Sequence, residues 1–67
     1  MRKVLCRDFT CEGVQFHLND NSHRNEFEGR YRLLYYAELA NQWRFISTVD
    51  SMMEARQDAK RFLASAY

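Results

Sequence analysis

Proline is absent from this chain and glycine occurs only twice, at Gly13 and Gly29. Lacking proline, no strand or helix is interrupted by a missing amide donor, and no proline-rich or glycine-rich linker divides the sequence. Net charge is nearly absent too. Ten Lys and Arg stand against nine Asp and Glu, a formal charge of +1, so no long-range field pulls the chain toward DNA or an anionic membrane. No apolar run approaches the roughly 18 residues of a transmembrane helix. The opening MRKVLCRDFT passes into charge where a signal peptide needs its apolar stretch. Membrane partners are therefore not expected and a cytoplasmic location is, where the two cysteines are free thiols rather than a disulfide. There is no internal repeat, glycine-rich phosphate loop, HExxH pair or Walker sequence.

Core-forming residues are plentiful. Apolar types make up 46% of the chain and aromatics 15%, too many for a disordered segment. At 67 residues the chain is expected to form a single domain over 1–67 with one core. A domain this short buries only about 60% of its unfolded surface, so a second subunit is a natural source of extra stability.

Alternation and turn formers outline an α+β fold, a small two-layer domain with an antiparallel sheet of about four strands in two hairpins. Lys3 to Phe9 mixes branched and aromatic residues with charge, and Val14 to Leu18 alternates strictly, with Thr10 to Gly13 as the connection. Residues 19–29, NDNSHRNEFEG, are rich in turn formers and read as a mobile loop. Arg30 to Glu38 and Gln42 to Thr48 form the second hairpin, turning near Leu39 to Asn41. A rival helix over residues 22–40 would use the helix formers of LLYYAELA, but Gly29 inside it costs about 1 kcal/mol against alanine, and the Arg and Tyr alternation favours strand. A C-terminal helix over about 51–65 is announced by Ser51 and Glu54, spaced as a capping box. Met52, Ala55, Ala59, Phe62, Leu63 and Ala66 recur behind it at helical spacing. Met52 and Met53 open that helix, and one of the pair should be buried.

Strand periodicity sorts the side chains into two sets. Val4, Cys6, Val14, Phe16, Leu18, Tyr31, Leu33, Tyr35, Trp43 and Phe45 form the expected core face, covered by the helix. The other set holds Leu5, Arg7, Gln15, His17, Arg30, Arg32, Leu34, Tyr36, Arg44 and Ile46, where arginine is mixed with apolar and aromatic residues. Such types are enriched in the centres of protein interfaces. The favoured expectation is a non-catalytic accessory or regulatory protein that binds another protein, as a homodimer or with a different partner, through Arg30, Arg32, Leu34, Tyr36, Arg44 and Ile46. A nucleic-acid module is the alternative, its arginines meeting phosphates. The bland reading is a solvated face with arginine stems lying over Leu34 and Ile46.

Other constellations carry less. Cys6, Cys11, His17 and His23 form a C-x4-C-x5-H-x5-H series of zinc-ligand types, but strand parity points Cys6 into the core and His17 away from it. Cys11, His17 and Asp20 make a nucleophile, base and carboxylate on paper, a trio that recurs by chance. No cofactor and no small-molecule substrate are inferred. The strand ending in WRFIST, followed by a short turn and a helix with regularly spaced alanines, superficially resembles the end of the helix-backed arm-binding domains of phage-type recombinases. That resemblance spans Arg30 to Leu63, and the net charge is lower than the family implies, so no membership is drawn from it.

Overall fold

The computed structural model describes residues 7–21 and 29–66. Their order is β1 (Arg7–Cys11), β2 (Val14–Asp20), β3 (Tyr31–Ala37), β4 (Gln42–Val49) and α1 (Met52–Ala66). The strands form one antiparallel sheet in the order β1-β2-β3-β4, with α1 across one face. This is the ββββα arrangement that the alternation implied.

Turn chemistry sets each hairpin. Glu12 and Gly13 have φ of 51° and 81°, and Cys11 pairs with Val14. The turn is thus a two-residue loop with both central residues left-handed, the type whose twist matches the flanking strands. It is tighter than the expected Thr10 to Gly13 connection, and β1 extends to Cys11 rather than ending at Phe9. Residues 38–41 connect β3 to β4, closed by the Asn41 amide donating to the Glu38 carbonyl at 3.1 Å. Asn41 takes a φ of 52°, which its short polar side chain tolerates well. The rival helix is excluded where the structure describes it, because Tyr31–Ala37 is strand.

β2 runs on through Asn19 and Asp20, which pair with Arg32 and Tyr31, so the start of the expected 19–29 loop is ordered ladder. Asn21 is buried. Its amide donates to the Arg30 carbonyl at 2.9 Å, and its side-chain Nδ2 donates to the Gly29 carbonyl at 3.2 Å. Residues 22–28, on which the expected mobility rests, lie outside the described residues, as do Val4, Leu5, Cys6 and His23.

The core is built from Phe16, Leu18, Leu33 and Val49 on the sheet and Ala55, Ala59 and Leu63 on α1. The three helix positions are four apart and form one stripe, and its two alanines let the helix lie close on the strands. Phe9 stacks on Phe16 at 5.3 Å, while Phe62 meets Phe16 edge-on at 6.5 Å and Tyr35 at 4.5 Å. Ser47 Oγ donates to Asp58 Oδ2 at 2.9 Å, a polar tie between β4 and α1. Met52 is half-buried and Met53 exposed, so Met52 is the inward member of the pair but is not fully buried as expected.

The helix start follows the capping-box reading with one change. The Glu54 amide donates to Ser51 Oγ at 3.2 Å, but the Glu54 carboxylate accepts from the Asp50 amide at 3.0 Å, one residue before the cap. Loss of the cap hydroxyl in Ser51→Ala is expected to lower unfolding stability by about 1 kcal/mol. Urea unfolding monitored by circular dichroism checks this, and an unchanged midpoint would show that Glu54 alone holds the first turn.

Candidate interaction surface

The face opposite α1 owes its composition to one irregularity. Along β3 and β4 the pairs run Tyr31 with Val49, Arg32 with Thr48 and Leu33 with Ser47, then shift so that Leu34 pairs with Phe45, Tyr35 with Arg44 and Tyr36 with Trp43. Ile46 is the extra residue. An extra residue in a strand with a side-chain period of two reverses the facing of everything beyond it. Before the shift, Ser47 and Val49 point to the helix; after it, Trp43 and Phe45 point away from it.

This corrects the expected division of the sheet. Trp43 and Phe45, read as core, share the uncovered face with Leu34 and Tyr36, and are 44% and 53% exposed. Ile46, read as a partner-binding residue, packs partly against the core in a hollow with Ser47, Asp58, Arg61 and Phe62. Arg44 opposes Tyr35 on the helix side and is exposed at the sheet edge. Arg7 pairs with Leu18 and shares that side as well. Arg30 precedes β3, its amide donating to Asp50 Oδ1 at 3.1 Å. Of the expected set, Arg32, Leu34 and Tyr36 remain within the strands of the uncovered face. The arginine-rich face becomes an aromatic one.

Side chains on that face are organised by contacts between strands. Trp43 meets Tyr36 edge-on at 5.2 Å and His17 at 5.8 Å. The Arg32 guanidinium lies 5.3 Å from the centre of the Phe45 ring, a cation–π arrangement that spreads the aromatic patch. Tyr36 donates its hydroxyl to Asn41 Oδ1, which anchors the rim at the β3–β4 turn. His17 Nδ1 contacts Asp8 Oδ1 across β1 and β2, where the two residues are directly paired. A hollow of about 400 Å³ opens among Asp8, His17, Asn19, Leu34 and Trp43. Asn19 is one of its lining residues, and its Oδ1 is buried without a hydrogen-bond partner among the described residues.

The chemical alternatives are placed by the same register. Cys11 pairs with Val14 on the helix side, whereas His17 lies on the uncovered face and Asp20 pairs with Tyr31 on the helix side. The sheet therefore separates Cys11, His17 and Asp20, and no relay forms among them. Cys6 and His23 of the zinc series lie outside the described residues, while Cys11 and His17 are on opposite faces. Among the described residues no cluster of metal-ligating side chains occurs, and no helix is long and apolar enough to cross a membrane.

Asp8, Asn19, Trp43 and Phe45 are the surface residues that strand alternation missed. The one signal for the last two is the adjacent large apolar pair Phe45 and Ile46, which breaks strict alternation where the bulge falls. Comparison with family models, curated proteins and solved structures returned no match, so the surface is read from its own chemistry.

Proposed function

We propose that this chain is a small, non-catalytic interaction protein of the cytoplasm that binds another protein through the uncovered face of its sheet. The observation that carries the reading is the pair Trp43 and Phe45, 44% and 53% exposed on the face that α1 does not cover. Tryptophan and arginine are the residue types that most often dominate binding energy when a partner seals them from water. Here an exposed indole, an exposed phenyl ring and a stacked Arg32 lie on neighbouring strands. A patch of this kind also matches the need of a small domain to bury more apolar surface than its own core provides.

The nucleic-acid alternative called for Arg30, Arg32 and Arg44 on one surface. Arg44 is turned to the helix side by the bulge, which leaves one arginine within the strands of the uncovered face and lowers the support for phosphate contacts.

The test uses a partner captured on the immobilised chain, then isolated and titrated calorimetrically. Trp43→Thr and Phe45→Thr, which keep strand propensity, are each expected to weaken binding tenfold or more, about 1.4 kcal/mol. Gln57→Ala, on the exposed side of α1, should bind as the parent does. Loss of binding in Gln57→Ala with none in the other two would move the interface to the helix. Binding of a short DNA duplex that falls steeply with salt would favour the alternative.

A further inference from the structure

The aromatic patch is not uniform, and its end toward β1 has a distinct chemistry. The hollow of about 400 Å³ there is lined by Asp8, His17, Asn19, Leu34 and Trp43. Three of its walls attract positive charge. The Asp8 side chain is 76% exposed although Oδ1 contacts His17. Asn19 Oδ1 is an acceptor removed from water and given no donor among the described residues, a state that an incoming N–H group would relieve. Trp43 presents an indole, the aromatic ring that attracts cations most strongly. Among the described residues no lysine or arginine lines the hollow. Arg32 is cross-strand from Asn19, but its guanidinium is held over Phe45 instead.

Building on the reading of this face as a protein-binding surface, we propose that the hollow receives an arginine side chain from the partner protein. Leu34 and Trp43 would cover its methylene stem and guanidinium plane, and Asp8 and Asn19 would accept its N–H groups. Arginine fits better than lysine because of the spacing of the acceptors. Asp8 pairs with His17, and Asn19 stands two residues along the same strand face, a diagonal relation that puts the two residues about 7–8 Å apart, their Cβ atoms somewhat closer. A planar fork with five donors spans two such acceptors, while a compact ammonium reaches one at a time. The hollow thus sets which partner is accepted, and the exposed aromatics supply the apolar contact around it.

The full chain, labelled with ¹⁵N, is titrated with N-acetyl-arginine methylamide and with its neutral isostere N-acetyl-citrulline methylamide. The arginine compound is expected to shift the Asn19 side-chain amide and the Trp43 indole N–H. The citrulline compound should bind at least tenfold more weakly, and Asp8→Asn should reduce the arginine compound's affinity by a similar factor without shifting signals from α1. Equal affinity for the two compounds, or shifts confined to the helix side, would overturn the assignment. Signals of Asn19 and Trp43 that change with protein concentration, and cease to change in Arg32→Gln, would make a second copy the occupant and overturn the assignment to a different protein. If the compounds bind alike while Trp43→Thr still abolishes partner binding, the arginine pocket falls and the interaction face stands. If both tests fail, both readings fall.

Discussion

Gly29→Ala is expected to remove most of the protein's stability at room temperature. A β-carbon on Gly29 would lie 2.6 Å from the Val49 amide nitrogen and carbonyl oxygen, a collision with backbone that no side-chain rotation relieves. The surroundings hold the glycine in place. Its amide donates to Thr48 Oγ1 at 2.8 Å, and its carbonyl accepts from Asn21 Nδ2 at 3.2 Å. Val49 is itself fully buried and paired with Tyr31, so a shift there opens the core where β4 passes into the helix. The expected loss is roughly 3 kcal/mol, the upper end for overpacking, in a domain whose core supplies about 3–5 kcal/mol in all. Gly13→Ala is the control, since nothing lies within 4 Å of a β-carbon there and the sole cost is its φ of 81°, about 1 kcal/mol. Denaturant unfolding compares the two. A Gly29→Ala protein as stable as Gly13→Ala would contradict the close approach of Gly29 to β4.

The second large effect belongs to Phe16. This ring is fully buried, stacked on Phe9 and met edge-on by Phe62, and so joins β1, β2 and α1 in one cluster. Phe16→Ala removes those contacts and leaves a cavity that surrounding strands cannot close, at a cost of about 3–5 kcal/mol. Little or no folded population should remain by circular dichroism or near-ultraviolet signal. A cooperative unfolding transition displaced by less than 1 kcal/mol would show that the three elements are held together elsewhere.

How far the sequence reveals this molecule depends on the length over which each pattern is read. The helix was legible because Ser51, Glu54 and the stripe through Ala55, Ala59 and Leu63 agree, and three agreeing signals leave few alternatives. β2 and β3 were legible for the same reason: Phe16, Leu18, Leu33 and Tyr35 alternate without interruption, and their faces emerged as expected. Gly29 was read as punctuation in a loop. Its actual constraint is a contact with Val49, twenty residues away, which no local pattern encodes. β4 was located correctly but faced wrongly over Trp43 to Ile46, because a single extra residue inverts a period of two. The outcome is tertiary: Ile46 packs partly against the core and lines a hollow with Phe62 and Asp58, and Trp43 packs with His17 and Tyr36. Tryptophan is usually taken for core, yet here it is nearly half exposed.

That placement decides the candidate surface. With the bulge, the face is Trp43, Phe45, Tyr36 and Leu34 with Arg32 stacked at its side; without it, Arg44 and Ile46 would take the places of Trp43 and Phe45 beside the same Arg32, Leu34 and Tyr36. The first composition suits a protein partner and the second suits phosphate, so one inserted residue carries the distinction between the two functional readings. Urea unfolding of Trp43→Thr and Phe45→Thr, measured separately, tests that placement most directly. Each is expected to lose about 1 kcal/mol, the worth of cross-strand aromatic contacts on an open face. A loss of about 3 kcal/mol or more in either, as for a truncated core aromatic, would return the ring to the core and remove the surface on which the proposed function rests.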